Sequence, residues 1–307
     1  MGRVTGKGLA ANMKTVFPLP MVRAVVLLLL IANTLNIAAD VAAMGEVAEL
    51  VTGMHRQLLS VFVVLLTLGL QLFVPYHRYV RFLKWLTLSL LAYVAVLFTV
   101  HIPWMEVLHS TVRPHFSFGG DGAAMVVAVF GTTISPYLFF WQASEEVEEM
   151  KVPPVDQPLV NNPKRAGKEL RRIRWDTLTG MFVSAITAYF IILATALTLH
   201  ASGVNNIDSA AKAASALKPV AGDFAYVLFA VGIIGVGLLA VPVLAGSAAY
   251  AAAETMGWQE GLERDARDAR EFYGVIVASV LAALAIQFSP VSPMKALFWS
   301  AVINGVV

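Results

Sequence analysis

The sequence contains no cysteine and few charged residues. Without cysteine, the chain has no disulfide, no thiolate nucleophile and no cysteine-based zinc site. Charged residues make up 14% of its 307 residues, whereas a soluble domain has about 25%. A net charge of +2 is too small to indicate a nucleic-acid partner. Because 58% of the residues are hydrophobic, the composition favours an all-α polytopic membrane protein and excludes an ordinary soluble domain.

Signatures of membrane enzymes are also missing. The sequence contains no H-E-x-x-H zinc motif, no G-x-S-x-G nucleophile motif and no P-loop. His101, His109 and His115 lie near Asp121 between two apolar segments, but their spacing matches no metal motif. We therefore expect a protein that is not an enzyme, with these histidines in a solvated loop.

Eight apolar segments are long enough, or nearly long enough, to cross a bilayer as helices. They comprise residues 22–44, 58–74, 82–100, 123–143, 178–199, 224–253, 272–288 and 296–307. The sixth is too long for a straight crossing and contains Pro242, which predicts a kink or a tilt. We interpret residues 1–307 as a single transmembrane domain.

The positions of the 22 lysines and arginines predict a cytoplasmic N-terminus. With that orientation, most of them lie in inside loops. Five lie in outside loops: Arg56, Arg113, Lys212, Lys218 and Lys295. The long cytoplasmic connection, residues 144–175, is acidic first and basic afterwards. This pattern favours a solvated linker that leads into a surface helix, although a gating role for its acidic cluster stays open.

The fourth segment contains a proline in the middle of an apolar run. Gly131, Thr132, Ser135 and Pro136 lie where a continuous helix would cross the membrane centre. Proline removes a backbone donor and disfavours helical geometry in the preceding residue, so the helix should break near Ser135. The released carbonyls must be buried in protein or line a cavity, as at the ion sites of transporters. A simple proline kink is the alternative. Hydroxyl and carbonyl oxygens suit hard cations such as Mg²⁺ and Mn²⁺.

The first segment carries a polar stripe. Asn33, Asn36 and Asp40 have the spacing of one helical face. An ionisable residue at membrane depth is costly and usually faces a cavity or a partner. Asp40 is therefore a candidate for binding protons or attracting cations, unless it reaches the outer interface. Tyr137, next to the proline, has a hydroxyl that either faces a cavity or packs.

These motifs resemble those of the Nramp (natural resistance-associated macrophage protein) family of divalent-metal transporters. Residues 131–138, GTTISPYL, resemble the sixth-helix motif G-A-T-V-M-P-H-N. Residues 139–149 resemble a divergent bacterial Nramp-related branch. Residues 4–10 resemble the loop after the family's second helix, and residues 39–44 resemble its third-helix D-L-A-E pattern. The resemblance covers nearly the whole chain.

The resemblance implies a partial LeuT-type inverted-repeat fold in the inner membrane. It implies import of Mn²⁺, Fe²⁺ or related ions, usually with protons, the ion being a substrate and not a resident cofactor. In this register the eight segments are the third to tenth helices. We accordingly expect a truncated chain whose missing helices a partner chain supplies. The alternative is a non-transporting membrane scaffold or partner subunit.

The departures from the family motifs bear on the choice of ion. The resemblance places Ser135 at the position of the family's methionine, and sulfur is the ligand that favours soft metals. Tyr137 replaces the motif histidine and Ala43 the third-helix glutamate, whereas Asp40 is retained, so proton coupling stays open. Thr132 keeps the carbonyl that binds metal in the family. The predicted metal ligands are thus Thr132 and Ser135, and the predicted proton or cation pathway comprises Asp40, Asn36 and Tyr137.

Overall fold

The computed structural model describes most of the chain, and its regular elements are helices. The described residues are 1–74, 101–113, 120–151, 157–197, 224–289 and 293–306, with isolated positions 78, 81, 85, 88, 94, 97, 98, 213, 214 and 222. Within these ranges no strand occurs. The third predicted segment, residues 82–100, lies largely outside the described residues.

Eleven α-helices are numbered here along the described part of the chain. They are α1 Gly2–Thr5, α2 Leu9–Val16, α3 Leu19–Thr52, α4 Arg56–Phe73, α5 Trp104–Val112, α6 Gly120–Thr133, α7 Pro136–Lys151, α8 Ala166–Thr195, α9 Phe224–Met256, α10 Arg270–Gln287 and α11 Pro293–Val306. A 3₁₀ turn, Pro163–Arg165, precedes α8.

Among the described residues, six helical stretches are long and apolar enough to cross a membrane. They correspond to α3, α4, the α6–α7 pair, α8, α9 and α10. The last predicted segment forms α11, which has 14 residues. The predicted all-α polytopic architecture is therefore confirmed, and the helices extend past several of the predicted segment ends.

The centre of the bundle is formed by α3 and α9, which pack along each other, with α4 and α10 against them. Their shared core includes the fully buried Ile37, Met44, Val241, Phe272 and Ile276. Many small residues in α9, such as Ala245 and Ala249, are fully buried and allow the neighbouring helices to come close. Pro242 lies inside this helix, as its sequence position indicated. In contrast, α8 is exposed over most of its length.

The connection predicted for residues 144–175 is shorter than expected. Helix α7 continues through the glutamates to Lys151, and α8 already begins at Ala166. Glutamate, lysine and arginine are good helix formers, and pairs such as Arg165 with Glu169 (3.5 Å) lie one turn apart. The inner ends of both helices therefore project beyond the apolar segments as charged extensions.

The N-terminal segment is folded against the inner end of α9. The Glu254 carboxylate in α9 accepts a hydrogen bond from the Ala11 amide at 3.1 Å and thereby caps the first turn of α2. In return, the Lys14 ammonium donates to the carbonyls of Glu254 (3.1 Å) and Thr255 (2.9 Å) at the end of α9. Gly8 permits this contact, since a Cβ there would lie 1.6 Å from a Glu254 oxygen. The first 16 residues are therefore folded against the C-terminal end of α9.

Candidate functional site at the interrupted helix

The apolar run of the fourth segment is interrupted at Ile134 and Ser135. Helix α6 ends at Thr133, and α7 begins at Pro136, which occupies its first turn. Pro136 has no amide proton to donate to the carbonyl of Thr132. The buried hydroxyl of Ser135 lies 3.0 Å from the carbonyls of both Gly131 and Thr132 and donates to them instead. Each carbonyl oxygen has two lone pairs, so both keep acceptor capacity.

The three hydroxyl residues before the proline differ in their surroundings. Thr133 donates back to the carbonyls of Val129 (2.9 Å) and Phe130 (3.3 Å). Thr132 is exposed, and its hydroxyl makes no hydrogen bond to the described residues. Of the two predicted metal ligands, Ser135 is therefore buried at the break. Thr132 contributes its carbonyl to the break, and its side chain is exposed.

Gly131 has a packing role in addition to the one predicted at the break. It lies within the helical part of α6 and packs against α11. A Cβ at this position would lie 1.8 Å from the carbonyl oxygen of Ala301, and one at Gly305 would lie 2.7 Å from the carbonyl oxygen of Val127. The two glycines let the backbones of α6 and α11 touch. The break therefore lies at Ser135 and Pro136, and Gly131 also fixes the position of α6.

The three residues of the polar stripe on α3 differ in their contacts. The buried Asn33 amide donates to the Leu244 carbonyl and to the Ser247 hydroxyl, both at 2.9 Å, and thereby ties α3 to α9. Asn36 and Asp40 are half-buried, and neither makes a hydrogen bond or an ion pair with the described residues. Both of the predicted pathway residues on α3 are thus open to a ligand.

Tyr137 connects the stripe to the break. Its phenol lies near the Asp40 carboxylate and near the Ser135 hydroxyl. Its ring packs against two core clusters, one around Ile37 and Val241 and one around Leu29 and Phe140. The structure therefore brings together Asp40, Tyr137 and Ser135, which lie far apart in the sequence.

A groove between α7 and α8, called here the α7–α8 groove, starts at the break. It has a volume of about 670 Å³. Its wall contains Thr133, Ile134, Ser135, Leu138, Phe139, Trp141, Gln142, Glu145, Glu146, Glu149, Arg172, Asp176, Thr177, Gly180, Met181 and Ser184. The groove thus joins the buried hydroxyl of Ser135 to the acidic inner end of α7. The sequence predicted an acidic end of the segment that forms α7. It could not predict that α8 forms the second wall of the groove.

Other carboxylates at the inner surface have structural partners. Glu148 accepts hydrogen bonds from the Tyr250 hydroxyl and from the Leu262 amide at 3.0 Å. Glu254 accepts from Ser144 at 2.8 Å in addition to capping α2. In residues 1–74, 120–151 and the other described ranges, no group of three or more His, Asp or Glu side chains has the arrangement of a metal site.

Glu260 lies in the connection between α9 and α10. Burial above all, with smaller contributions from the nearby Glu254 and Glu148, raises the pKa of its carboxyl to about 8 against the opposing effect of Lys151 and Arg264. Its Oε2 atom is buried and has no hydrogen-bond partner in the described residues. This connection thus carries a carboxyl whose charged form is disfavoured by its surroundings.

The fold defines a class of protein, a multi-pass helical membrane protein with one interrupted span. A family model, natural resistance-associated macrophage protein-like (Nramp), matches residues 1–307. The chain therefore belongs to the Nramp family, which is a family of divalent metal ion transporters and not of enzymes, and whose fold is of the LeuT type. The comparison with curated proteins gives no significant match.

Proposed function

We propose that this chain transports the harder divalent cations Mn²⁺ and Mg²⁺, with the ion bound at the break between α6 and α7. One observation carries the proposal: the break presents oxygen donors, the Ser135 hydroxyl and the carbonyls of Gly131 and Thr132. Residues 131–137, which include the break, contain no methionine or cysteine, and Ser135 lies at the break itself. Oxygen donors favour hard cations, and sulfur would favour softer ones.

Asp40 supplies the negative charge for this site in the proposed mechanism. It is half-buried without a cationic partner in the described residues, and it acts on Tyr137 beside the break. An unpaired carboxylate at membrane depth is costly unless a cation or a proton neutralises it. Any coupling to protons would use Asp40, because tyrosine does not titrate near neutral pH.

The proposed orientation has the N-terminus in the cytoplasm and the chain in the bacterial inner membrane. The basic residues Arg3 and Lys14 lie in the N-terminal segment that contacts the inner ends of α7, α8 and α9. An excess of lysine and arginine marks the cytoplasmic side of a membrane protein. The released ion would therefore leave towards the acidic inner end of the α7–α8 groove.

Uptake of Mn²⁺ and of Mg²⁺ into proteoliposomes that contain the full chain tests the proposal. We expect Asp40→Asn and Ser135→Ala to reduce uptake about tenfold or more, since each removes a donor of the ion. Asp268→Asn, which changes an exposed carboxylate of the inner connection, is the matched control and should leave uptake unchanged. Equal uptake by Asp40→Asn and Asp268→Asn would contradict the assignment of the site.

A non-transporting membrane subunit is the competing outcome of the same experiment. It would show neither uptake nor cation binding by calorimetry, and the chain would copurify with a second membrane protein. The open carboxylate of Asp40 favours transport over this outcome, because a purely structural carboxylate would have a partner, as Glu148 and Glu254 do.

A further inference from the structure

The inner end of the α7–α8 groove is bridged by Arg172 and, beside it, by Arg3, which pairs with Glu149 at 3.7 Å and with Glu169 at 3.3 Å. The Arg172 guanidinium in α8 donates to both oxygens of Glu146, at 3.2 and 3.1 Å, and to Glu149 at 3.0 Å. It also pairs with Glu169 on its own helix at 3.4 Å. Higher in the groove, Gln142 donates to Thr177 at 3.1 Å. Side chains therefore join the two walls of the groove at both levels.

The two faces of α7 are held to their neighbours by different kinds of contact. On the face away from the groove, Ser144 donates to the largely buried Glu254, and Glu148 binds Tyr250 and the connection after α9. These hydrogen bonds are shielded from water and hold α7 to α9. On the groove face, the Arg172 side chain is 44% exposed. Exposed ion pairs contribute little to stability and are weakened by salt. If the two walls of the groove separate, they will therefore separate at the Arg172 contacts and not between α7 and α9.

We propose that the α7–α8 groove is the inner route of the ion and that Arg172 is the latch that closes it. This inference rests on the proposed function, because it assumes that an ion bound at Ser135 is released inwards. With the latch closed, Arg172 and its ion pairs block the passage between the site and the cytoplasm and neutralise Glu146. When the latch opens, Glu146 is freed to attract the leaving dication, while Glu149 keeps its pairing with Arg3 at 3.7 Å. Arg172 is a positioning and gating residue and does not contact the bound ion.

Because the chain has no cysteine, a single introduced cysteine can report on access to the groove. Leu138 lies in the groove wall one turn below Ser135. In inside-out vesicles, we expect a bulky, membrane-impermeant maleimide to label Leu138→Cys about fivefold faster when Arg172→Ala is also present, as suits an ion-pair latch of modest strength. Arg171→Ala, which removes the neighbouring charge, is the matched control and should not change the rate. Val160→Cys, exposed in the connection before α8 and outside the groove wall, should label at one rate in every background.

A reversible cross-link tests whether the groove must open during transport. In the double variant Gln142→Cys/Thr177→Cys, a short bifunctional methanethiosulfonate reagent should bridge the two walls and stop Mn²⁺ uptake by proteoliposomes. A reducing agent should then restore uptake. Uptake after cross-linking is compared with uptake by the same double variant before treatment, so the effect of the bridge is separated from any effect of the two substitutions.

The outcomes separate the latch from the ion proposal. Equal labelling of Leu138→Cys in the Arg172→Ala and Arg171→Ala backgrounds would overturn the latch. Uptake that continues through a complete cross-link would overturn the groove as the route. If labelling responds to Arg172→Ala as expected but no variant and no wild-type chain takes up Mn²⁺ or Mg²⁺, the latch stands and the proposed function fails.

Discussion

The Ser135 hydroxyl lies 3.0 Å from the carbonyl oxygen of Thr132 and supplies the hydrogen bond that Pro136 cannot. A side chain therefore repairs a backbone defect at the point where the fourth span is interrupted. The same hydroxyl also reaches the carbonyl of Gly131 at 3.0 Å. Ser135 thus donates to the backbone carbonyls at the break and also supplies a side-chain oxygen there. Substitutions at position 135 should therefore affect both the choice of ion and the stability of the fold.

Ser135→Met should shift the preference of transport towards softer ions. The thioether sulfur is a soft ligand, so uptake of Cd²⁺ relative to Mn²⁺ should rise about tenfold or more. The measurement is the ratio of initial uptake rates in proteoliposomes. Ser144→Met, which changes a buried serine of α7 away from the break, is the control for a general effect of methionine. An unchanged ratio in Ser135→Met would show that position 135 does not contact the ion.

Gly131→Ala should destabilise the protein strongly. A methyl group would lie 1.8 Å from the Ala301 carbonyl oxygen, so α6 and α11 must move apart. The expected loss is about 2 kcal/mol or more, as for other overpacked contacts. Gly274→Ala in α10 is the matched control, since no atom lies within 4 Å of its added methyl, and it should be neutral or stabilising by about 0.5–1 kcal/mol. Thermal unfolding in detergent measures both, and equal melting temperatures would contradict the close packing.

Lys14→Met should release the N-terminal segment from α9. The ammonium donates to the carbonyls of Glu254 and Thr255 at the end of that helix, and its loss should cost about 1 kcal/mol. Amide hydrogen exchange in α2 and at the end of α9 should then be about fivefold faster. Lys7→Met, which changes an exposed side chain of the same segment, should leave exchange unchanged. Similar exchange in the two variants would show that the segment is held by other contacts.

Glu260 should make stability depend on pH between about 4.5 and 8. Its folded-state pKa is about 8, against 4.5 for an ordinary glutamate. At low pH the carboxyl is protonated in the folded and unfolded chain and carries no penalty. As pH rises, the unfolded chain loses the proton first, so stability falls progressively until pH passes about 8. After allowance for partial exposure, the total loss is on the order of 1–3 kcal/mol.

Glu260→Gln should remove this pH dependence. Its melting temperature should match the wild type near pH 4.5 and exceed it at pH 8, because glutamine cannot ionise. Glu271→Gln, at an exposed position in the first turn of α10, is the control and should keep the wild-type slope. Parallel profiles for all three proteins would show that Glu260 is ionised without cost in the folded state.

The spans and the break were predictable because they follow from local chemistry. A run such as that from Val22 to Met44 has to be helical in lipid whatever surrounds it. Pro136 breaks the fourth span for a reason contained in its own ring. The motif around Ser135 resembles that of the Nramp family and so predicted the type of protein, which the family match then confirmed. The assignment of Ser135, Asp40 and Tyr137 to the ion site stays a prediction.

The remaining features depend on partners that are distant in sequence. Gly131 was assigned to the break, and its contact with Ala301 could not be derived from either local sequence. Nothing around Arg172 indicates that it pairs with Glu146 across a groove. The polar N-terminal stretch gave no sign that Gly8 leaves space for Glu254. Such contacts are set by the three-dimensional fold, and only periodic or covalently imposed features can be derived without it.

The reciprocal capping of α2 and α9 also constrains the order in which the protein can mature. Ala11 and Glu254 are separated by 243 residues, which take tens of seconds to synthesise at roughly 5–20 residues per second. Until α9 is synthesised, the first turn of α2 has no Glu254 carboxylate to cap it. A chain interrupted before α9 should therefore expose its first 16 residues to proteases, whereas the finished chain should protect them.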